Sequence, residues 1–144
     1  MSETIASKNE QTAIDISEHF KKGKDAYNEK KYDLAFSFFR ITAEEGNTRA
    51  QFYMGILYNF GYGVPQDYVK ANYWYELAAK QNKVSAIAYL GEYYCFGKGV
   101  DPDIVKGLSY LEKAASLGSD YAIKKLKSFN IGYNKKLGLH YIGE

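Results

Sequence analysis

Residues 50–83 read AQFYMGILYNFGYGVPQDYVKANYWYELAAKQNK, and residues 86–119 read AIAYLGEYYCFGKGVDPDIVKGLSYLEKAASLGS. Laid over each other at an offset of 36 residues, the two stretches are identical at 14 of 34 positions. Self-similarity at a fixed period of roughly 20–50 residues is the signature of repeat proteins, in which each unit packs against its neighbours. The chain is therefore predicted to consist of successive copies of one structural unit.

The first half of each unit is predicted to be a helix, at about residues 48–60 and 84–96. Apolar residues recur along the first of these helices at the i, i+4, i+7, i+8 spacing, which places them on one face. That face needs a packing partner, because most helical stability in proteins comes from tertiary packing. The stripe consists of Ala50, Met54, Leu57 and Tyr58.

Glycines recur in the middle and at the end of these helices. Gly55 and Gly91 lie within the helices, where glycine costs about 0.5–1 kcal/mol relative to alanine. Their recurrence predicts that a neighbouring helix approaches too closely for a Cβ atom. The glycines at the helix ends and in the loop that follows suit backbone positions with positive φ. These end and loop glycines are Gly61, Gly63, Gly97 and Gly99.

A second helix follows the glycine loop in each unit. It is predicted to open near Pro65 in one unit and at Asp101 and Pro102 in the next, because an aspartate cap and a first-turn proline both favour a helix start. Small residues at Ala78 and Ala79 would let the two helices of a unit cross closely. The stripe predicted to face the core consists of Val69, Tyr73, Trp74 and Ala78.

The repeat extends beyond these two units in both directions. Ala35 and Phe39 match positions one period later, which predicts a preceding unit with a shorter loop. Ser119, followed by Asp120, is typical of a helix start and predicts a terminal helix. The expected organisation is a disordered segment at 1–11, repeats at about 12–47, 48–83 and 84–119, a capping helix at 120–129 and an unassigned C-terminal segment at 130–144; the helices of the first repeat are expected at 12–29 and 32–45.

Residues 50–79 resemble the Sel1-like repeat, a variant of the tetratricopeptide repeat. The pattern Ala-x-x-x-Leu-Gly-x-x-Tyr-x-x-Gly-x-Gly-Val-x-x-Asp-x-x-Lys-Ala-x-x-Trp-x-x-x-Ala-Ala fits almost throughout, with Met54 in the place of leucine. In the next unit Gly107 replaces an alanine and Tyr110 replaces the tryptophan. The resemblance covers about residues 20–128 and implies an all-α fold, a short right-handed α-solenoid of about seven helices. It also implies a scaffold of the kind that adaptor and regulatory proteins use for many unrelated partners.

Composition and charge narrow the function classes. With 144 residues, of which 46% are hydrophobic, the chain fits one globular domain. A formal net charge of +2 does not by itself indicate a polyanionic partner. The first twelve residues are polar, no stretch approaches the ~18 apolar residues of a membrane span, and Cys95 is the single cysteine. We expect a cytoplasmic, monomeric protein that does not associate with membranes.

Motifs that would indicate an enzyme are missing from the sequence. None of the nine serines is followed three residues later by lysine, so the Ser-x-x-Lys signature of β-lactamase-like enzymes is absent. Gly-x-Ser-x-Gly, His-Glu-x-x-His and Gly-x-x-x-x-Gly-Lys are absent as well. His19 and His140 are expected near opposite ends of the array, and a lone thiol such as Cys95 is usually structural. We therefore expect no catalytic residue, no metal site and no cofactor.

The resemblance implies that the first helices of successive units line a concave surface. Counting the motif glycine as position eight, positions two, five, nine and twelve are expected to point into that surface. Tyr27, Phe52 and Ile56 are larger and more apolar than a solvated face requires, which is typical of binding anchors. The alternative is that curvature buries them between helices. The candidate partner-binding residues are Phe20, Lys24, Tyr27, Arg49, Phe52, Ile56, Asn59, Ser85, Ala88, Glu92, Tyr121 and Lys124, with Cys95 at an equivalent position.

Two further features raise the alternative of a nucleic-acid partner. Aromatic residues could stack on bases, but those at the repeat-motif positions are expected to be core; they are Tyr58, Trp74, Tyr94 and Tyr110. A run of basic residues near the C-terminus favours a solvated cap, because terminal repeats need a polar outer face. This run consists of Lys124, Lys125, Lys127, Lys135 and Lys136.

The leading hypothesis is a cytoplasmic adaptor or inhibitor-type protein that binds a segment or surface of one protein partner. A toxin-neutralising, immunity-type protein is a special case of such binding. The alternatives are a hydrolase-like enzyme that acts on a peptide or cell-wall fragment, and a nucleic-acid binder that uses the C-terminal lysines. Catalysis would require a cluster of polar catalytic residues, which the sequence does not provide.

Overall fold

A computed structural model describes residues 4–129, 131–134 and 139–142 of the chain. Within these ranges seven helices precede a two-stranded hairpin. The chain divides into two compact units, Met1–Asp67 and Tyr68–Glu144. The elements are α1 (Ile5–Asn28), α2 (Tyr32–Glu44), α3 (Thr48–Phe60), α4 (Tyr68–Lys80), α5 (Val84–Phe96), α6 (Ile104–Ser116), α7 (Asp120–Ser128), β1 (Ile131–Asn134) and β2 (Leu139–Ile142).

In the first unit, α2 packs against both α1 and α3. Phe39 of α2 is fully buried at the centre of this packing. Its ring stacks on Tyr53 of α3 at a centroid distance of 4.7 Å. A Cβ atom added to Gly23 of α1 would lie 2.8 Å from the Phe39 ring. Glycine at position 23 therefore lets α1 approach the central aromatic ring of the unit.

The first helix is longer than predicted. It begins at Ile5, so the expected disorder over residues 1–11 is corrected for residues 5–11; residues 1–3 lie outside the described residues. The Oγ1 atom of Thr4 caps the helix by accepting a hydrogen bond from the Ser7 N–H at 3.2 Å. Residues 5–22 contain no glycine or proline, so nothing in the local sequence interrupts a helix that begins at Ile5.

The predicted first helices of the two central repeats, 48–60 and 84–96, have the bounds that the structure shows. Of the stripe on α3, Ala50, Met54 and Leu57 are buried, whereas Tyr58 is half-buried. The predicted close approach is confirmed at Gly91, where an added Cβ would lie 2.6 Å from Cγ of Leu111 in α6. The packing of α5 on α6 therefore depends on this glycine.

The glycine loops have the predicted left-handed backbone. Gly61 ends α3 with φ +69°, and Gly97 ends α5 with φ +69°. Gly63 and Gly99 also have positive φ, and each lies against the backbone at the start of the preceding second helix. A Cβ on Gly63 would be 2.6 Å from the Tyr32 carbonyl carbon, and one on Gly99 would be 2.5 Å from that of Tyr68. Glycine is required at both loop positions for conformation and for space.

The second helices begin later than predicted, at Tyr68 and Ile104. The backbone N–H of Asp103 donates to the Tyr94 carbonyl at 2.8 Å, which holds the preceding residues in the loop. The Asp103 side chain then caps α6 by accepting from the Lys106 N–H at 3.0 Å. Asp101 and Pro102 therefore belong to the loop, and the next aspartate is the cap.

The stripe predicted on α4 is wrong in most of its members. Val69 and Tyr73 are 64% and 57% exposed, and Trp74 is half-buried. The buried residues of α4 lie two positions after Val69 and Tyr73, at Ala71 and Tyr75. Ala78 is buried, as predicted. The core aromatic residues are thus Phe39, Tyr75 and Tyr93, whereas Trp74, Tyr94 and Tyr110 are half-buried.

In the second unit α5 and α6 pack closely, and α7 covers their end. Ser119 caps α7 as predicted, by accepting a hydrogen bond from the Ala122 N–H at 3.1 Å. The shared core of these helices consists of Ile87, Ala88, Leu111, Ala114, Ala122 and Leu126. Ala88 was a candidate binding residue, and its burial in this core corrects that prediction.

The C-terminal segment contains two short antiparallel strands that the sequence did not predict. Ile131 pairs with Ile142 and Asn134 pairs with Leu139 at the two ends of the ladder. Residues 130, 135–138 and 143–144 lie outside the described residues. Among the helices of the described ranges, none combines the length and the apolar character that crossing a bilayer requires.

Candidate protein-binding surfaces

Seven of the twelve candidate binding residues lie on α1 and α3 in the first unit. The structure brings these two helices together through aromatic contacts. Tyr53 of α3 lies 5.0 Å from Tyr27 and 6.3 Å from Phe20, measured between ring centroids. Tyr53 was not among the candidates, although it contacts both candidate rings. Its recurrence as Tyr89 one repeat later was the available signal.

Two cations lie over aromatic rings on this side of the unit. The Arg49 guanidinium carbon is 4.7 Å from the Phe20 ring centroid. The Lys24 ammonium is 4.8 Å from the Tyr53 ring centroid and donates a hydrogen bond to the Tyr53 hydroxyl at 2.5 Å. No carboxylate among the described residues forms a salt bridge with either cation. We call the surface formed by Phe20, Lys24, Tyr27, Arg49 and Phe52 the α1–α3 face.

The remaining candidates of the first unit are less accessible. Ile56 is 7% exposed and Asn59 is 8% exposed, so both are buried. For Ile56 the structure therefore favours the alternative that the side chain is packed rather than displayed. Phe20, Tyr27 and Phe52 are half-buried, and Arg49 is exposed. The accessible part of the predicted surface is aromatic and basic.

The candidates of the second unit include a buried carboxylate that is neutralised within the protein. Glu92 is 7% exposed. Its Oε1 atom accepts hydrogen bonds from the Lys98 and Lys125 ammonium groups at 3.1 and 3.0 Å. Its Oε2 atom accepts a short hydrogen bond from the Tyr121 hydroxyl. We call Glu92, Lys98, Tyr121 and Lys125 the Glu92 cluster.

The Glu92 cluster joins α5, the loop after it and α7. Burial alone would raise the pKa of the Glu92 carboxyl, but the hydrogen bonds from Tyr121, Lys125 and Lys98 outweigh burial and lower this pKa below its ordinary value. Burial and the hydrogen bond to Glu92 raise the pKa of Tyr121. At neutral pH the Glu92 carboxyl is therefore ionised and the Tyr121 hydroxyl keeps its proton. Sequence analysis identified Glu92 and Tyr121 but did not predict that they bind each other.

The other candidates of the second unit do not form a shared site. Ser85 and Lys124 are exposed, and no described contact links them to the Glu92 cluster. Cys95 is half-buried, and its Sγ atom would lie 2.5 Å from a Cβ added to Gly107 of α6. Burial, followed by the charge of Glu92, raises the pKa of the Cys95 thiol, which disfavours the reactive thiolate.

A cleft between α4 and α6 was not predicted. It has a volume of about 310 Å³. Ala79, Ile87 and Leu90 give it apolar lining, while lysines and one glutamate contribute charged groups. Tyr110 lines one side and lies 5.8 Å from the Tyr94 ring in a stacked arrangement. The full lining of this α4–α6 cleft is Glu76, Ala79, Lys80, Ile87, Leu90, Lys106, Tyr110 and Lys113.

The described residues contain no group of three His, Cys, Asp or Glu side chains suited to hold a metal ion. His19 binds locally, since its Nδ1 atom lies 2.6 Å from the Asp15 carbonyl oxygen. Its ring packs 5.8 Å from the ring of Phe38. The side chain of His140 lies outside the described residues.

The model of the Sel1 repeat matches residues 19–47, 48–83 and 84–119. The second and third matches have the predicted repeat boundaries, and the first begins later than the predicted residue 12. Together the three matches cover more than half of the 144 residues. No protein with a curated description matches the chain.

The solved structures that resemble the chain include the following three. A protective antigen of uropathogenic Escherichia coli strains, described as displaying an SLR fold, is 27% identical with a TM-score of 0.74; the match covers 79% of this chain and 25% of the antigen. A Sel1 repeat protein from Oxalobacter formigenes is 34% identical with a TM-score of 0.71, over 84% of this chain and 94% of that protein. Helicobacter pylori cysteine rich protein B is 28% identical with a TM-score of 0.58, over 64% of this chain and 69% of that protein.

The chain thus spans a quarter of the length of the Escherichia coli antigen and nearly the whole length of the Oxalobacter protein. These likenesses confirm the predicted fold class, an all-α solenoid of helix-turn-helix repeats. They concern the fold, and the choice of binding surface rests on the contacts described above.

Proposed function

We propose that this chain, which belongs to the Sel1-repeat family, is a protein-binding module that uses the α1–α3 face to hold a segment or surface of one partner. The observation that carries the proposal is the pairing of cations with aromatic rings on that face. Arg49 lies over Phe20, and Lys24 lies over Tyr53. Aromatic residues and arginine are the side chains that most often dominate binding energy at protein interfaces.

The charges on this face are available to a partner. Neither Lys24 nor Arg49 forms a salt bridge among the described residues, so an incoming carboxylate would not have to displace one. The contact with Tyr53 restricts the Lys24 side chain before binding, which reduces the conformational entropy that binding would cost. Half-buried rings beside these cations offer apolar area for an anchor residue of the partner.

The role that fits this surface is that of an adaptor or an inhibitor-type protein. Neutralisation of a toxin would be one form of such inhibition. Repeat scaffolds bind through extended surfaces rather than through catalytic clusters. We further propose a cytoplasmic location, supported by the single cysteine, whose thiol is free in the structure. Cell fractionation would test this location directly.

Capture of the partner from a native lysate of the source cells, with quantitative mass spectrometry, tests the binding face. We expect the double variant Phe20→Ala/Arg49→Glu to lose most of one captured protein. Removal of an interface anchor commonly costs more than about 1 kcal/mol, which corresponds to at least roughly fivefold in affinity. Circular dichroism should remain helical, because both side chains lie at the surface of the α1–α3 pair.

The matched control is Phe60→Ala/Arg40→Glu. It removes an exposed phenylalanine and an exposed arginine from the same unit, outside the α1–α3 face. The control should capture the partner as the unaltered protein does. Equal loss in both double variants would assign the effect to general charge or stability, and equal capture by both would exclude the α1–α3 face.

A further inference from the structure

Two of the three lysines of the α4–α6 cleft lie outside the repeat motif. One period earlier, at an offset of 36 residues, the positions of Lys80 and Lys113 are occupied by Glu44 and Leu77. Only Lys106 has a lysine counterpart, at Lys70. Two of the three cations at the cleft, Lys80 and Lys113, therefore have no lysine counterpart one period earlier.

The shape of the cleft also departs from the repeat pattern. Tyr110 lines one side at the position where the preceding repeat has Trp74. A tyrosine ring is smaller than an indole, so the substitution leaves space beside the apolar lining. Ile87 and Leu90 are about 1% exposed, and the cleft presents the edge of this well-packed core.

The cations of the cleft are in excess over its single carboxylate. Glu76 already accepts hydrogen bonds from the Tyr94 hydroxyl at 2.9 Å and from the Asn72 amide at 3.4 Å. Lys106 lies 4.3 Å from the Tyr94 ring centroid. Lys80 and Lys113 form no salt bridge with a carboxylate in the described ranges. Positive charge beside an apolar surface is therefore left for a ligand.

We propose that the α4–α6 cleft is a second binding site, separate from the α1–α3 face, that accepts an acidic segment of a partner protein. An apolar side chain of the segment lies against Ala79 and the ring of Tyr110, the half-buried part of the lining above the buried Ile87 and Leu90. Carboxylates on either side of it pair with Lys80 and Lys113 at the rim. Opposite charges at a solvent-exposed rim contribute modestly to affinity and strongly to the choice of partner.

Three short peptides test this proposal by NMR titration of the ¹⁵N-labelled full chain. The probe is acetyl-Glu-Glu-Leu-Glu-Glu-amide. The comparison peptides are acetyl-Gln-Gln-Leu-Gln-Gln-amide, which lacks charge, and acetyl-Glu-Glu-Gly-Glu-Glu-amide, which lacks the apolar side chain. We expect saturable shifts at the amides of Lys80, Tyr110 and Lys113 with the probe, and at least threefold weaker binding of each comparison peptide.

Variants of the protein separate the cleft from general positive charge. Lys80→Gln/Lys113→Gln should weaken the probe about threefold to tenfold, since each exposed ion pair contributes roughly 0.2–1 kcal/mol. The control Lys70→Gln, which matches Lys106 one repeat earlier and lies outside the lining of the cleft, should leave binding unchanged. Tyr110→Trp restores the repeat residue and should weaken binding by filling the cleft, while the melting temperature is retained.

Several results would overturn the proposal. These are the absence of saturable shifts at the cleft, equal binding of the uncharged peptide, and equal weakening by Lys70→Gln. Inorganic phosphate that produces the same shifts would identify a simple anion site instead. A single-stranded oligonucleotide that binds the same residues more tightly than the acidic probe would identify a nucleic-acid surface. None of these results depends on the α1–α3 face, so the two sites are tested independently.

Discussion

The two units use the same repeat position in opposite ways. Lys24 and Glu92 each follow the motif glycine of a first helix, at Gly23 and Gly91. Each reaches a tyrosine hydroxyl on the next first helix of its own unit: Lys24 donates to Tyr53, and Glu92 accepts from Tyr121. The geometry is shared, but the charge of Lys24 is uncompensated by any described carboxylate, whereas two lysines neutralise Glu92.

This difference separates a surface prepared for a partner from a contact that stabilises the fold. A charge that is already paired and buried gains little from a further ligand, and its removal leaves its partners unsatisfied. A charge held by one hydrogen bond to a neutral hydroxyl keeps most of its capacity for a carboxylate. Repeat position alone therefore does not identify binding residues, and the balance of charge around the position does.

The largest effect is expected for Gly91→Leu, because Gly91 lets α5 pack closely on α6. A side chain at this position would meet both the side chain and the backbone nitrogen of Leu111 within 2.9 Å. Overpacking of this kind costs about 1–3 kcal/mol, and we expect the upper end of this range. Urea denaturation monitored by circular dichroism measures the loss. An unchanged midpoint would show that α6 can move away at little cost.

Within the Glu92 cluster, Glu92→Gln should lower the free energy of unfolding by about 1–2 kcal/mol. The amide keeps the shape of the side chain but removes the charge that pairs with Lys98 and Lys125, and a buried polar group that loses its partner costs energy of this order. The matched control is Glu112→Gln, a half-buried glutamate in the same unit. Equal effects of the two variants would contradict a special role for the cluster.

The cluster also predicts a dependence of stability on pH. Because the folded-state pKa of Glu92 is lowered from its ordinary value of 4.5, its contribution is complete at higher pH. It is lost as the pH falls below that value through the lowered pKa, when the carboxylate becomes protonated. The difference in unfolding free energy between the unaltered protein and Glu92→Gln should therefore shrink from pH 7 to pH 3. A difference that is constant over this range would contradict the pairing.

At the equivalent position in the first unit, Lys24→Met should lower the free energy of unfolding by about 0.5–1.5 kcal/mol, the ordinary range for one lost hydrogen bond. Capture of the partner should also fall by roughly threefold to tenfold, if the lysine pairs with a carboxylate of the partner. Parallel denaturation and capture experiments measure the two effects. A large loss of stability with unchanged capture would mean that Lys24 serves the fold in the way that Glu92 does.

The smallest effect is expected at Cys95. Burial raises its thiol pKa, so the native thiol should react with Ellman's reagent at pH 7 at least about tenfold more slowly than the denatured thiol. Cys95→Ser should leave the fold and partner capture intact. Rapid reaction of the native thiol, or loss of capture in the serine variant, would show that Cys95 belongs to a functional surface.

The sequence predicted the helices well where glycine marks their ends. Gly61 and Gly97 adopt the left-handed conformation that terminates α3 and α5, and periodic apolar residues fill the interval before each glycine. The α4 stripe was mispredicted because two pairs of residues have the i, i+4 spacing of a buried face. One pair is Val69 and Tyr73, and the other is Ala71 and Tyr75. Val69 is more hydrophobic than Ala71, and Tyr73 and Tyr75 are the same residue type, but the close packing there accepts the small Ala71.

The candidate binding surfaces were predicted less completely than the helices, because their properties depend on contacts between different helices and loops. Glu92 was assigned to a binding surface from its repeat position. Its neutralisation depends on Lys98 in a loop and Lys125 in α7, and sequence spacing does not reveal either contact. The α4–α6 cleft likewise requires three helices to be in place before its lysines are seen to share one rim.

The loop glycines have a consequence for how such a protein can change in length. Gly63 and Gly99 each rest on the backbone at the start of a second helix 31 residues earlier, at Tyr32 and Tyr68. This contact uses main-chain atoms, so it makes little demand on the side chains of the neighbouring copy. A duplicated segment of 36 residues would contain both its own loop glycine and the helix start that the next loop glycine contacts. Gene duplication could therefore lengthen the array in frame without prior adjustment of the surrounding sequence.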